Sequence, residues 1–472
     1  MEKYDFVILG AGVAGLSFAK RVSDRGYSVL VLEKEEVIGG LSRTLKHNGF
    51  LLDFCAHRFH TKNEDVLNEV MNLDMVWNKY IKKSRVYIYN KYLKYPYEMQ
   101  NLLRAMPIHE SFLCGISFFK AQLIKPFDKS KIKSYRDWFV YFYGEHLYNY
   151  MMKNYTEKIW HMDPKYLSAD WADQRFQGED LKKLVGRMIK KLVTLDFSKY
   201  SLEDDSLAPD GGEFYYPLEG IQEMPEAFAR AVRKNKGKII CTAQVNSINR
   251  KNKVVEYEKD GKKSTVKYSD LISTIPLPVL YKLQEKKDEE VEKAIKEIKY
   301  MDIIFVYLFI NKPNISKDHW LYFPDKDIIF NRSVEFSNWS PKMCPEGKTS
   351  ICFDITCYQG DEIWGMSEDK IAERVINDAD RIGYVSKKDV DSHYVFKIKY
   401  GYPVYDVEYK DKLNKVVKFL EDKNTFLLGR TGIFRYNNSD NSIEMGIELA
   451  NNFVSKKKEK TIYNYQIKKI SY

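Results

Sequence analysis

The sequence predicts an α/β protein of two or three domains, and three observations support this fold class. Residues 4–33 read in order as a strand, a glycine-rich turn, a helix and a second strand. Residues 100–200 follow long amphipathic patterns rich in Leu, Lys and Met, which predict helices. Short β-rich runs return over residues 238–275 and 300–358. The chain of 472 residues is also longer than a single compact core usually supports.

The glycine-rich turn carries a nucleotide-binding pattern. Gly10, Gly12 and Gly15 follow the apolar strand at residues 4–9 with the spacing G-x-G-x-x-G. In a Rossmann-type fold the first glycine permits a tight turn, the second lets the backbone approach a pyrophosphate, and the third packs the helix on the strand. The helix N-terminus then offers free N–H groups to the phosphates. Glu33 ends the second strand, where a carboxylate can accept hydrogen bonds from a ribose with free hydroxyl groups.

A second glycine pair follows in the segment GGLSRT. Gly39 and Gly40 permit another close approach of the backbone, and Arg43 can meet a phosphate or the edge of a flavin. This extension separates FAD from NAD, so we predict FAD as the cofactor. A tight turn without ligand contact is the alternative.

The order of elements predicts a discontinuous nucleotide-binding domain. We assign residues 1–85, 210–285 and 420–472 to a Rossmann-type FAD-binding domain, because strands and a closing helix return late in the chain. Residues 86–209 form an inserted helical domain in this prediction. Residues 286–419 form an antiparallel β-sheet substrate domain, since their runs IIFVYLFI and SICFDITCY are β-rich and separated by turn residues.

The formal net charge of +10 is mild for this length and fits an anionic small molecule, nucleic acid or an acidic membrane surface. Much of it lies in the run Ser455–Lys460 and at Lys468 and Lys469. Such a tail is usually solvated, and peripheral membrane contact is the alternative. We predict no nucleic-acid partner and leave open a homo-oligomer.

Cysteine usage and hydropathy indicate a cytoplasmic protein. The six cysteines show no CxxC spacing, which predicts neither a zinc site nor a disulfide framework. His57 and His60 lack an accompanying carboxylate or cysteine ligand pattern, so no metal site is expected there. No uncharged apolar run reaches the roughly 20 residues of a membrane-spanning helix.

Four further segments narrow the family. They are CAHRFHT at 55–61, YTEKIWHMDPKYLSADWADQRFQGEDL at 155–181, HWLYFPDKDIIFNRSVEFSNWSP at 319–341 and GRTGIFRYNN at 429–438. Together with the glycine pair, they resemble the UDP-galactopyranose mutases, flavoproteins of the protoporphyrinogen oxidase and amine oxidase group. The first segment is also similar to uncharacterised oxidoreductases related to the mutases. The resemblance covers nearly the whole chain.

The resemblance implies a set of site residues. His57 would lie beside the flavin ring, and Arg430 would contact the flavin. Arg175 and Arg332 would grip the diphosphate of a nucleotide sugar, since forked guanidinium groups bond phosphate oxygens in pairs. We therefore predict His57, Arg175 and Arg332 as catalytic residues. The remaining predicted contacts are Leu41 and Ser442 at the flavin, and Trp160, Tyr322, Tyr402 and Tyr436 at the substrate.

The resemblance implies a nucleotide-sugar mutase that interconverts pyranose and furanose rings in polysaccharide or glycan biosynthesis. Reduced flavin N5 would attack the anomeric carbon, the nucleoside diphosphate would leave, and the sugar would open and reclose before the diphosphate returns. NAD(P)H would serve only to keep the flavin reduced. The alternative is an FAD-dependent oxidoreductase of the amine oxidase or protoporphyrinogen oxidase type, because the fold supports both chemistries. A third, non-catalytic reading is an FAD-stabilised scaffold.

Three residues depart from the mutase pattern. Ala56 stands where the mutases have Gly or Pro, and alanine tolerates a positive φ poorly. Alanine at this position therefore disfavours a backbone switch of the kind the mutases make on flavin reduction. His161 replaces a small residue, and Asn441 replaces a histidine near the end of the chain. These changes leave the FAD prediction intact but weaken the prediction of the sugar.

Overall fold

The computed structural model describes residues 1–95, 106–123, 131–175 and 212–455. The predicted basic tail from Lys456 onward lies outside the described residues. The described strands are β1 Lys3–Leu9, β2 Val29–Leu32, β3 Thr44–His47, β4 Phe50–Asp53, β5 Trp77–Ile81, β6 Ser84–Ile88, β7 Lys91–Lys94, β8 Glu213–Pro217, β9 Lys238–Ile240, β10 Gln244–Asn249, β11 Val254–Lys259, β12 Lys262–Ser273, β13 Lys299–Ile310, β14 Trp320–Tyr322, β15 Arg332–Glu335, β16 Thr349–Cys357, β17 Val390–Val404 and β18 Thr425–Leu427.

The described α-helices are α1 Val13–Ser23, α2 Glu64–Met71, α3 Ile108–Leu123, α4 Tyr135–Tyr143, α5 Glu145–Leu147, α6 Lys153–Trp160, α7 Ala169–Arg175, α8 Glu223–Lys234, α9 Leu277–Lys282, α10 Glu289–Glu297, α11 Glu362–Gly365, α12 Glu368–Arg381, α13 Tyr409–Leu420, α14 Gly429–Gly432 and α15 Ser439–Val454. A π-helical turn, Tyr148–Met152, joins α5 to α6. None of the described helices is long and apolar enough to cross a membrane.

The first large sheet confirms the predicted α/β class. Its strand order is β10-β11-β12-β1-β2-β9, and β18 also pairs with β12. The strand β1 runs parallel to both β2 and β12, and the apolar segments of all three are buried. Parallel strands buried on both faces are typical of sheets covered by helices. The sheet is thus built from the start, the middle and the end of the chain.

A tight hairpin joins β11 to β12 at the turn that the sequence predicts. Asp260 and Gly261 occupy the turn with φ angles of 51° and 74°. Two consecutive left-handed residues make the type of turn whose twist matches antiparallel strands, and Asp-Gly is a favoured pair for it.

The first and last helices pack tightly against each other over this sheet. A Cβ at Gly446 of α15 would lie only 2.7 Å from the carbonyl oxygen of Ala14 in α1. The ring of Phe453 meets Phe6 edge-on at 4.9 Å between centroids. Glycine at position 446 therefore lets the closing helix rest directly on the backbone of the helix that follows the glycine-rich turn.

The second large sheet has the order β17-β13-β16-β15-β14-β6-β7. The strand β13, in which every residue after Lys299 is buried, pairs antiparallel with β16 and β17. In β14 and β15, Tyr322 lies opposite Arg332 in the register. The strands β6 and β7 join this sheet from the segment 84–94, and the domain boundaries drawn from the sequence remain a prediction.

Candidate functional site

One continuous cavity of about 1770 Å³ is lined by residues of both large sheets. At one end lie the two glycine segments and Glu33, and at the other lie residues of β13, β14, β15 and β17. The N-terminus of α15 also forms part of the wall. The cavity therefore brings together predicted FAD-binding residues, which we call the cradle, and predicted substrate residues.

The glycine-rich turn leaves room for a ligand where the motif requires it. Gly10 has φ +97°, and a Cβ there would lie 2.3 Å from Thr274 Oγ1. A Cβ at Gly15 would lie 2.5 Å from the carbonyl oxygen of Gly10, as close packing of helix on strand demands. A Cβ at Gly12, by contrast, would meet nothing within 4 Å, although Gly12 lines the cavity. Gly12 therefore opens onto space that a pyrophosphate can fill, and α1 starts at the next residue.

The second glycine pair is docked onto the first. The N–H of Gly39 donates to the carbonyl oxygen of Ala11 at 2.9 Å. A Cβ at Gly40 would come within 3.3 Å of the Cα of Gly12. Gly39 and Gly40 have φ angles of 114° and 58°, which side-chain-bearing residues rarely adopt. Both segments and Leu41 then line the same end of the cavity.

Glu33 is buried in the cavity wall and braced by the backbone. One carboxylate oxygen accepts the N–H of Ala11 at 2.7 Å, and the other accepts the N–H of Glu35 at 3.0 Å. Each oxygen keeps a further lone pair, because a carboxylate offers about four acceptor sites. The side chain therefore has the position and the acceptor capacity that the ribose prediction requires.

Two polar atoms of predicted flavin residues are buried in the described structure without a hydrogen-bond partner. They are Arg43 Nε and His57 Nδ1, and both residues line the cavity. The guanidinium of Arg43 lies over the ring of Phe54 at 5.1 Å, and Phe54 stacks on Phe305. Buried polar groups normally have partners, so both atoms favour a polar ligand in this space. These residues fit a flavin.

His57 is neutral in this setting. Burial, together with the positive charges of Arg430 and Arg332, lowers the pKa of His57 to about 3. The left-handed residue of this segment is Cys55, with φ 63°, and not Ala56. A neutral imidazole can offer one N–H and accept one hydrogen bond, and it adds no charge beside a flavin.

Arg430 is held between two tyrosines at the cavity. Its guanidinium lies 5.4 Å from the ring centre of Tyr402 and 4.9 Å from that of Tyr436. Its Nε donates to the carbonyl oxygen of Asn437 at 2.9 Å, and Nη2 donates to the same oxygen. The two tyrosine rings are 5.4 Å apart. All three residues line the cavity.

Arg332 is oriented by a buried carboxylate that the sequence analysis did not identify. Its Nε and Nη2 donate to one oxygen of Asp354 at 2.9 and 2.6 Å. Burial alone would lower the pKa of Arg332, but the charge of Asp354 raises it well above its usual range. The side chain of Arg332 is 20% exposed, and that of Asp354 is 7% exposed. Arg332 lines the cavity while Asp354 supports it from behind.

The aromatic neighbours of Arg332 complete this end of the cavity. Tyr322 lines the wall opposite Arg332 in the sheet, and its ring lies 4.8 Å from that of Tyr95. Trp320, two residues earlier in β14, is buried and its Nε1 has no partner among the described residues. This indole N–H also lies on a cavity-lining residue and was not predicted as a site group.

The N-terminus of α15 carries Ser442 into the cavity wall. Ser442 Oγ bonds to Asn437 Oδ1 at 3.2 Å. Asn438 caps the helix, with the N–H of Asn438 donating in return to Asn441 Oδ1. Asp440 is partly buried beside them, and burial raises its pKa to about 6. A helix start with free N–H groups is a favourable place for the electron-rich edge of a ligand.

One predicted substrate residue, Trp160, does not line the cavity. Trp160 is 2% exposed and packs edge-on against Trp171 at 4.6 Å, behind Tyr402. Trp160 therefore packs behind Tyr402 and supports it from outside the cavity. Arg175 is the last residue of α7, and its side chain lies outside the described residues.

Hydrogen bonds connect the helix α6 to the sheet that carries Arg332. Lys158 Nζ donates to the carbonyl oxygens of Phe323 and Phe330 at 2.6 Å each, and to that of Asp325 at 3.0 Å. These carbonyls belong to the loop between Tyr322 and Arg332. At the helix end, His161 is left-handed with φ 50°, and its Nε2 lies 2.7 Å from the carbonyl oxygen of Thr356. A left-handed residue at this position favours glycine, which explains why a small residue is usual there.

Comparisons with known proteins agree with this arrangement. The family described as flavin-containing amine oxidoreductase matches residues 13–429. A probable UDP-galactopyranose mutase of Klebsiella pneumoniae is 26% identical over 176 residues, which are 36% of this chain and 44% of that protein. Protoporphyrinogen oxidase 2 of Arabidopsis thaliana is 20% identical across 94% of this chain and 91% of its own length.

The fold has a matching solved structure. The crystal structure of a reduced UDP-galactopyranose mutase superposes with a TM-score of 0.82 and 22% identity, over 97% of each chain. This likeness confirms the predicted architecture. The aligned part of this chain spans less than half of the curated Klebsiella mutase, so activity and substrate are matters for a proposal.

Proposed function

The chain belongs to the family of flavin-containing amine oxidoreductases, and from this premise we propose that it is an FAD-dependent nucleotide-sugar mutase. The observation that carries the proposal is the pair of guanidinium groups, Arg332 and Arg430, on the same cavity as the glycine cradle. Both are close enough to His57 to lower its pKa, and all three residues line the cavity. A diphosphate is complementary to such charge, and a protonated amine is not.

The residues of the cradle would hold the cofactor. Gly12 and the start of α1 would face the pyrophosphate, Glu33 the ribose, and Arg43, His57 and the start of α15 the flavin. The ligand-sized space at Gly12 and the two unpartnered nitrogens support this assignment. When bound and reduced, FAD supplies a nucleophilic nitrogen to the sugar carbon, with no net redox change. NAD(P)H would then serve as an external reductant.

Arg332 would bind the diphosphate and stabilise it as it leaves the sugar. Negative charge grows on the leaving oxygen when that bond breaks, and fixed donors lower the barrier by roughly 3 kcal/mol each. Asp354 holds Nε and Nη2, so the remaining N–H groups of Arg332 are those that can reach a ligand. Arg430 is already braced by Asn437 and two tyrosines, which fixes its charge without a large reorganisation.

The tyrosines would shape the sugar site. Tyr322, Tyr402 and Tyr436 present rings and hydroxyl groups to one space, and such amphipathic side chains suit a sugar with apolar faces and polar edges. Burial raises the pKa of Tyr402 far above neutrality, so its hydroxyl group stays protonated and can donate to a sugar oxygen. His57 stays neutral and would position the ligand without proton transfer. The product would enter cell-surface polysaccharide or glycan biosynthesis.

A second candidate is an oxidoreductase of the protoporphyrinogen oxidase type. It is favoured by the alignment with the plant enzyme, which spans nearly all of both chains. This function would use the same cradle but would pass electrons from the substrate through the flavin to an acceptor.

The deciding experiment offers a panel of nucleotide sugars to the holoenzyme with dithionite-reduced or oxidised flavin. A new furanose product that forms only with reduced flavin supports the mutase. Oxygen uptake with hydrogen peroxide, and no ring isomer, would overturn the proposal in favour of the oxidase. The same assay with UDP-linked and other nucleotide sugars identifies the sugar and the base.

A further inference from the structure

The helix α3, Ile108–Leu123, carries its apolar side chains on its outer face. Phe112, Phe119 and Leu123 are 70%, 68% and 88% exposed, and Leu113 and Ile116 between them are also exposed. Their spacing places all five on one stripe, because residues three, four and seven apart share a helix face. We call these five residues the outer stripe.

The inner face of the same helix carries polar and small side chains. Glu110 Oε2 pairs with His146 Nε2 at 2.6 Å, and Ser117 Oγ accepts the N–H of His146 at 3.0 Å. Gln122 Nε2 donates to the carbonyl oxygen of Phe142 at 3.4 Å. An amphipathic helix on a water-exposed protein has the opposite arrangement, with its apolar stripe toward the core.

The helix cannot simply rotate its outer stripe inward. The backbone of Ser117 lies so close to Gly144 that a Cβ at Gly144 would be 2.7 Å from the Ser117 carbonyl carbon. Together with the three hydrogen bonds to Glu110, Ser117 and Gln122, this contact fixes which side faces the protein. The outer stripe is therefore built to meet an apolar surface outside the described fold.

The charges around the stripe indicate what that surface is. His109 and Lys120 are exposed on the helix, whereas its acidic residue, Glu110, is partly buried and paired with His146. From Lys120 to Lys133 the sequence has five lysines and a single aspartate. Phenylalanine and leucine on one face, a lysine beside them and a lysine-rich sequence after the helix are typical of a helix that lies in the headgroup region of an anionic bilayer.

We propose that α3 docks this protein onto the surface of an anionic lipid bilayer. The helix lies parallel to the membrane, the outer stripe enters the boundary between headgroups and acyl chains, and Lys120, which is exposed beside the stripe, contacts lipid phosphates. A protein copy is a poorer occupant, because each chain carries a formal net charge of +10 and the lysines would face a like-charged partner.

The test is co-sedimentation of the FAD-loaded full chain with vesicles of phosphatidylcholine, with and without phosphatidylglycerol. We expect binding to the mixed vesicles that weakens with added salt, because the lysine contribution is screened. The double variant Phe112→Glu/Phe119→Glu should lower the partition constant at least about tenfold. Val76→Glu is the matched control, since Val76 is 63% exposed elsewhere, and it should leave the partition constant unchanged.

Three outcomes would overturn the proposal. The first is an equal partition constant for the wild type and the double variant, including the absence of binding by both. The second is a wild-type mass in solution of two or more chains that falls to one chain in the double variant, which would assign the stripe to a second copy. The third is a melting temperature that drops in the double variant without lipid but not in Val76→Glu, which would show that the chain itself covers the stripe.

Discussion

From the ion pair of Arg332 and Asp354 we predict different effects on nucleoside diphosphate affinity and on the free energy of unfolding. The two hydrogen bonds of 2.9 and 2.6 Å end on a carboxylate that is 7% exposed. Arg332→Met leaves this buried carboxylate without its partner, which typically destabilises a protein by about 3 kcal/mol. Arg332→Met/Asp354→Leu removes both charges and restores apolar volume. We expect its free energy of unfolding to lie within about 1 kcal/mol of the wild type.

Affinity for a nucleoside diphosphate should not recover in the double variant. Both variants lack the guanidinium group, and a hydrogen bond to a charged group contributes about 2 kcal/mol, or roughly 30-fold in affinity. The measurements are urea unfolding of the FAD-loaded protein and calorimetric titration with UDP. Flavin absorbance after desalting shows that the cofactor is retained in every variant.

A second arginine–aspartate pair on the same sheet provides the control. Arg85 donates to Asp318 from Nε at 3.0 Å and from Nη2 at 2.5 Å, and Arg85 does not line the cavity. Arg85→Met should lower stability and leave UDP affinity unchanged. If the Arg332→Met/Asp354→Leu variant binds UDP as the wild type does, or if Arg85→Met weakens UDP binding equally, the assignment of Arg332 to the diphosphate is refuted.

Two further predictions concern the cradle. Gly12→Ala should keep the fold but release FAD on desalting, because the added Cβ enters open cavity space. Gly10→Ala should lower the free energy of unfolding by about 2 kcal/mol, because Gly10 has φ +97° and no room for a Cβ beside Thr274. The pKa of His57 is about 3 in the folded chain and near 6.5 when unfolded, so the unfolded chain binds more protons between these values and stability falls as the pH falls. Between about pH 7 and pH 5, we expect the free energy of unfolding of the wild-type apoprotein to fall by about 2 kcal/mol more than that of the His57→Gln apoprotein. Urea unfolding at both pH values measures this, and an equal fall in the two proteins would contradict it.

The parts of the cradle that follow from local geometry could be predicted from the sequence. Gly10, Gly12 and Gly15 have one structural context, a turn between a buried strand and a helix, so their roles can be derived without knowing the rest of the chain. Glu33 follows from the same unit. The fold class follows because strands buried on both faces and helical segments alternate in a way that few architectures accommodate.

Partners that are distant in sequence could not be assigned. Asp354 supports Arg332 only because β15 and β16 pair in a register that places the two residues opposite each other. A signal was present, since a lone acid within SICFDITCY must have a partner if that strand is buried, but the sequence does not say which one. The resemblance implied a substrate contact for Trp160, whereas the side chain packs against Trp171, behind Tyr402. Side-chain direction at a helix end depends on tertiary contacts that no local pattern contains.

The contact between the first and last helices has a consequence for how the protein is made. Gly446 rests on the backbone at Ala14, and Ser442 completes the cavity that Gly12 opens. On the ribosome, the residues of the glycine-rich turn emerge roughly 20 to 90 seconds before the closing helix, at ordinary rates of synthesis. During that interval the β1–α1 unit lacks its covering helix, and β12, which pairs with β1, arrives only midway. Cofactor capture is therefore an event that follows translation, and a nascent chain cut short before α15 exposes apolar surface to chaperones and proteases without gaining a flavin to stabilise it.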